Sequence, residues 1–186
     1  MLFTQVTAIL GLAASLASAV NIKLYSGSQT CSGSYVVCSD IASGRCCAST
    51  TNYRSIRFDG GTGTRNLRGF VNGCDNIIIS QNAGLPFCMS RGDGGSLNGA
   101  VWRAASLLRR GPEEESCPAS QGGCKETAKP DKVVLADGAE YNLKGLDDTK
   151  LNELSYATFS VDLVSNETVT GAEDVPQEFQ ILRIAA

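Results

Sequence analysis

Eight cysteines, Cys31, Cys38, Cys46, Cys47, Cys74, Cys88, Cys117 and Cys124, are the residues of this 186-residue chain best suited to chemistry. No histidine accompanies them. That removes Ser-His-Asp and Cys-His nucleophilic catalysis, imidazole metal ligation and a histidine pH switch. The cysteines lack the paired CxxC spacing of a zinc site. Their even number instead points to four disulfides formed in an oxidising compartment. Cys46 and Cys47 are adjacent and should bond different partners. Cys117 and Cys124 are the pairing expected after the basic half, a short loop worth only about 2–3 kcal/mol.

Other chemistry is sparse. The first half offers Asp40, Asp59, Asp75 and Asp93 as its only carboxylates, and two of these sit in Gly-rich turns. Nothing in their spacing suggests the paired carboxylates of glycoside hydrolysis. P-loop, dinucleotide and nucleophile-elbow motifs are absent. Arg91-Gly92-Asp93 reads as a tight polar turn rather than an adhesion tripeptide. The arginines are the better lead: Arg54, Arg57, Arg65 and Arg68 fall close in sequence, and guanidinium forks suit phosphate, sulfate or carboxylate. Their alternative partner is the acidic half of the same chain.

Residues 1–19 read as a secretory signal peptide. Val6 to Leu16 is apolar apart from Thr7, Gly11 and Ser15, and Ala17-Ser18-Ala19 supplies a small-x-small cleavage pattern. The usual basic leader is missing. No later stretch approaches the ~18 apolar residues that a membrane-spanning helix needs. The expected product is a secreted, extracellular chain from residue 20 onward.

Its charge is divided. Residues 20–110 carry ten Lys and Arg against four Asp, a net of +6, whereas 111–186 carry six against fifteen Asp and Glu, a net of −9. The division expected is a basic Cys-rich β-domain over 20–108, a linker over 109–130 and an acidic α+β segment over 131–186. Arg109-Arg110 in the linker resembles a dibasic processing site, and cleavage there would part a basic domain from an acidic mask. Asn166-Glu167-Thr168 is an N-glycosylation sequon.

The elements that must position these groups are mostly short strands. Residues 20–25 alternate with period two, and Ile56 and Phe58 flank an outward Arg57. Residues 34–38, 87–89 and 100–102 are further candidates, and Ile77-Ile78-Ile79 predicts a more buried strand over 76–80. Residues 132–143 predict a hairpin turning at Asp137-Gly138 through a type I′ turn. Asp147 or Asp148 can cap a helix to about Thr158 with Leu151, Leu154 and Ala157 or Thr158 on one face; a second helical turn after Pro176 carries Phe179, Leu182 and Ile184. The acidic unit's core is thin, so it should lean on the basic half, a disulfide or both.

Ile22-Lys23-Leu24-Tyr25, Cys31-Ser32-Gly33-Ser34-Tyr35 and Tyr53-Arg54-Ser55-Ile56-Arg57-Phe58-Asp59-Gly60 together resemble one βγ-crystallin Greek-key motif. Tyr25, Gly33 and Ser55 take the family's aromatic, glycine and serine places, with Cys31 where its second aromatic would stand. The resemblance implies a mainly β, disulfide-stapled Greek-key sandwich followed by a small α+β unit. In that arrangement the glycine lets a hairpin fold over, the serine bonds its backbone and the tyrosine covers it. A second motif is at most degenerate, beginning at Asp75-Asn76. Calcium sites of that family need paired Asn or Asp. Thr50-Thr51 and Arg54 deny the first site, and Ile79 before Ser80 leaves only Asp75-Asn76 for the second. The cysteine pattern, with Cys46-Cys47 and Gly94-Gly95, also resembles small secreted cysteine-rich proteins of filamentous fungi, including effector-like proteins and crystallin-fold killer toxins.

These features lead to the expectation of a non-catalytic, cofactor-free, metal-free extracellular binding protein of effector type. Its partners would be an anionic glycan, a membrane or a host protein on a wall, membrane or host target. Nucleic acid is disfavoured, because no aromatic stacking platform is evident. The alternative is a cationic antimicrobial or killer-type toxin released from its acidic segment.

Overall fold

A computed structural model describes residues 19–104, 126–159 and 172–185. Among these residues eleven strands build two sheets. In chain order they are β1 (Val20–Tyr25), β2 (Tyr35–Ile41), β3 (Arg45–Tyr53), β4 (Ser55–Asp59), β5 (Arg65–Val71), β6 (Asn76–Ala83), β7 (Phe87–Ser90), β8 (Leu97–Ala104), β9 (Glu126–Ala128), β10 (Lys132–Val134) and β11 (Glu140–Asn142). Sheet A runs β11-β10-β2-β1-β4-β7 and sheet B runs β6-β5-β8-β3-β9. The protein is therefore mainly β, as its short alternating runs predict.

Two four-strand keys make up β1–β8. In the first, β1 lies between β2 and β4 while β3 crosses to sheet B. In the second, β5 lies between β6 and β8 while β7 crosses to sheet A. Each key thus lends its third strand to the other, β3 pairing with β8 and β7 with β4. Alternation decides which side chains meet between the sheets. Ile22, Leu24, Ile56, Phe58, Leu67, Leu97 and Trp102 are buried in one cluster, and the Trp102 indole donates to the Ile41 carbonyl at 2.8 Å. Cys46, Phe70, Cys74 and Val101 form a smaller cluster on the far side of sheet B.

The hairpins of the two keys fold over in the same way. Between β1 and β2, Gly33 has φ of 86°, a backbone state glycine adopts without strain. The Ser55 hydroxyl there donates to the Ser28 carbonyl at 2.6 Å and accepts from the Cys31 amide at 3.1 Å. Between β5 and β6, Gly73 has φ of 73° and its amide donates to the Asn98 side chain at 2.8 Å. Asn98 does for the second key what Ser55 does for the first. Cysteines extend the parallel. Cys31, in the first hairpin, bonds Cys88 on the lent strand β7; Cys74, in the second, bonds Cys46 on the lent strand β3. The third bridge, Cys38–Cys47, joins β2 to β3. Cys46 and Cys47 do take different partners, and all six cysteines of the basic half close among themselves.

Residues after 125 extend both sheets. β9 adds parallel to β3 and β10 adds antiparallel to β2. Val133, Leu135, Tyr141, Leu143, Leu151, Leu154 and Phe179 enter the main core, so the acidic unit leans on the basic half as its thin core required. Helix α1 (Asp148–Phe159) starts under an Asp147 cap, whose carboxylate accepts from the Lys150 amide at 2.8 Å. A single 3₁₀ turn (Ala172–Asp174) and α2 (Gln177–Gln180) follow.

Four expectations need correction. The strand over 76–80 is not buried: β6 is a sheet edge, with Ile77 48% and Ile78 44% exposed. Its partner β5 supplies the inward residues, and a bulge opposite Phe70 turns the isoleucine run outward. The β10–β11 connection is not a two-residue I′ turn. Leu135 and Ala139 close it through an N–H···O bond of 2.9 Å, with Gly138 at φ 87°. Its three intervening residues form the longer loop with a left-handed glycine. Strands β3 and β5 went unseen in the sequence, since Cys46-Cys47 and two arginines break their apolar alternation. Finally, the second Greek key is complete in topology although its sequence motif is not.

Candidate functional site

Strand pairing in sheet A lines up residues far apart in sequence. Lys132 on β10 registers with Val37, Val37 with Lys23, Lys23 with Arg57 and Arg57 with Cys88. The neighbouring row runs Glu140, Val134, Tyr35, Tyr25, Ser55, Ser90. Since Ile22, Leu24, Val36, Ile56, Phe58 and Val133 fill the core, these rows occupy the opposite face. The result is a sheet face that carries three cations beside two tyrosines.

The groups on this face hold one another. Tyr25 and Tyr35 rings lie 4.8 Å apart, and the Lys23 ammonium sits 5.1 Å from the Tyr35 ring centre. Asp59, at the strand end, accepts from Arg57 at 2.8 Å and pairs with Lys23 at 2.8 Å. Lys132 pairs with Glu140 at 3.2 Å. Tyr25 is buried and Tyr35 half-buried, so Tyr35 is the ring that a ligand could reach. An arrangement of one accessible aromatic on a face with ion pairs can stack against a sugar and exchange its internal ion pairs for a ligand's charged groups.

Asp59 makes the face pH-sensitive. Burial pushes its carboxyl up, but hydrogen bonds from Lys23 and Arg57 pull it down by more, leaving it below the ordinary carboxylate value. A folded-state value below the unfolded one stabilises above the unfolded pKa of about 4 and loses that stabilisation as pH falls through the folded value. Asp59→Asn should therefore be less stable than the natural chain near neutral pH. The gap should close below about pH 4, read by urea unfolding. A gap unchanged between neutral pH and pH 3 would contradict the assignment.

The four arginines singled out from sequence are not gathered on one surface. Arg57 alone lies on the face just described. Arg54 stands at its end, where the guanidinium donates to the Gly94 carbonyl at 2.5 Å. Arg65 and Arg68 belong to sheet B. Arg65 lies 5.2 Å from the Trp102 ring centre, and Arg68 donates to Asn66 at 2.8 Å. Arg91 pairs with Asp93 within its own turn. Lys23, Tyr35 and Lys132 were missed. Each sits at an outward position of a predicted strand, yet only the strand order brings the three together.

Several sequence-level sites lie outside the described residues: the signal segment, Arg109-Arg110, Cys117, Cys124 and Asn166. Among the described residues, no three His, Cys, Asp or Glu side chains gather closely enough to hold a metal ion, Asp75 included. Nor is any helix among them long and apolar enough to cross a membrane. No curated protein and no solved structure matches the chain. Residues 21–131 match one family over more than half of the chain, reaching from β1 through the three described disulfides and β9 to the residue before β10. On that match the chain belongs to the family ARB_05566_N, described as an N-terminal domain.

Proposed function

We propose that this chain is a secreted, non-catalytic binding protein of effector type, acting outside the cell on a glycan of a wall or host surface through the outer face of sheet A. The observation that carries this reading is the juxtaposition of Tyr35 with Lys23, Arg57 and Lys132 on one sheet face. A sheet locked by disulfides presents such a face with little ordering left to do on binding. The three bridges also agree with an oxidising, extracellular setting. The two keys that exchange third strands, each with a folded-over hairpin, support the βγ-crystallin-like reading of the fold. Lys and Arg on the face are already paired with carboxylates, so an anionic glycan would have to compete with Asp59 and Glu140. Binding should then weaken with salt.

The toxin reading has less support. It needs the basic half to come away after cleavage at Arg109-Arg110. Yet β9 and β10 extend both sheets, and Tyr141 and Leu154 are buried with the basic half's core.

The test is retention of the mature chain on insoluble chitin, β-glucan and immobilised heparin, with anionic vesicles alongside. Retention on one of the polysaccharides, weakened roughly tenfold in Tyr35→Ala and Lys23→Ala, is expected. Retention on vesicles alone, or polysaccharide binding equal in both variants, would overturn the reading.

A further inference from the structure

Among the described residues, strand β6 closes sheet B on one side and pairs only with β5. It is eight residues long, Asn-Ile-Ile-Ile-Ser-Gln-Asn-Ala, without a charged residue or a proline. Sheet edges are usually guarded by charge, proline or shortness, because their unpaired amides and carbonyls recruit other strands. The other three edges among the described residues follow that habit. β7 has four residues, β9 has three with Glu126 paired to Arg45, and β11 has three and is bridged at Tyr141 by Arg183. β6 alone is long and uncharged, and it exposes Ile77 and Ile78.

The charges around β6 say which strand fits it. Asp75 immediately precedes its first residue, and β5 places Arg68 opposite Ser80 and Arg65 opposite Ala83. One end of the edge is therefore acidic, whereas on the strand behind it Arg68 stands opposite the middle and Arg65 opposite the other end. A second β6 running antiparallel brings the acidic end of each copy to the Arg65 end of the other, whereas a parallel one sets like beside like. Antiparallel pairing of identical strands is two-fold and closes on itself.

We propose that β6 is the interface at which two copies of this chain join, their B sheets continuing into one ten-stranded sheet through antiparallel β6 pairing. The inference is independent of the ligand face, which lies on sheet A. Two copies so joined would present two such faces to a polymer.

Sedimentation velocity of the mature chain over a dilution series tests it, with Ile78→Lys and Gln81→Lys as variants. Both positions are exposed, so a lysine there costs the monomer little and sets like charges against each other across the two-fold axis. Ile181→Lys, at a residue 86% exposed elsewhere, is the control. The expected result is a mass of two chains that falls on dilution, with a dissociation constant raised roughly tenfold or more in both β6 variants and unchanged in the control. Unaltered melting would show that the variants fold. A monomer at every concentration would overturn the proposal. So would a dimer indifferent to both lysines, or growth beyond two copies.

Discussion

Full reduction is expected to unfold this protein in the absence of denaturant. Its three described bridges close loops of 9, 28 and 57 residues. Taken singly they restrict the unfolded chain by about 2.5, 3.5 and 4 kcal/mol. The loops overlap, so together they contribute less than the sum, but still as much as a domain's usual net stability of about 5–15 kcal/mol. Little in the packing can replace them. Cys38, Cys46 and Cys47 are at most 1% exposed, and their bridges occupy core volume between strands. Unfolding in urea with and without reductant reads the difference. Replacing Cys38 and Cys47 together by alanine should cost about 2.5 kcal/mol, and removing the Cys31–Cys88 pair should cost more. A reduced chain with an undiminished midpoint would show that the sheets stand without their cross-links.

The second large effect is at Gly99. A Cβ there would run into the Gly73 carbonyl oxygen and lie 3.4 Å from the Cys74 sulfur. No rotamer relieves such a clash, because the obstacle is backbone. Gly99→Ala must lift the β5–β6 hairpin away from β8. That loosens the Gly73–Asn98 bond and displaces the Cys46–Cys74 bridge, which pins the same hairpin. The expected loss is about 3 kcal/mol or more, at the upper end of overpacking. Gly84→Ala is the control: nothing lies within 4 Å of its Cβ position, and a change within about 0.5 kcal/mol is expected there. Equal melting temperatures for the two variants would show that the hairpin is not seated on β8 as described.

Much of the first key was legible in the sequence because its information is local. Ile22 and Leu24 alternate with Asn21 and Lys23, and Ile56 and Phe58 bracket Arg57, so those strands and their inner faces follow from a period of two. Ser55 and Gly33 could be read for their roles since each is tied to a nearby hairpin. The second key was hidden for a physical reason. Asn98 replaces the serine, and Gly69 and Gly99 replace larger side chains where elements approach closely. Strand β6 misled because three isoleucines signal burial only when a sheet covers both sides, and at an edge they do not. The candidate site was legible only in part. Arg57 stood out by its neighbours, whereas Lys132 reaches the same row through β10 and β2, a pairing that spans 95 residues between Lys132 and Val37.

The exchange of third strands has one more consequence. The two keys are connected by the exposed glycines of residues 60–63, a stretch open to a protease. A cut there would give two polypeptides, yet neither could drift off. Cys31–Cys88 and Cys46–Cys74 both cross from one piece to the other, and each piece has a strand woven into its sibling's sheet. A nicked molecule would keep its outline and its surface, and its two pieces would separate only after the disulfides were reduced.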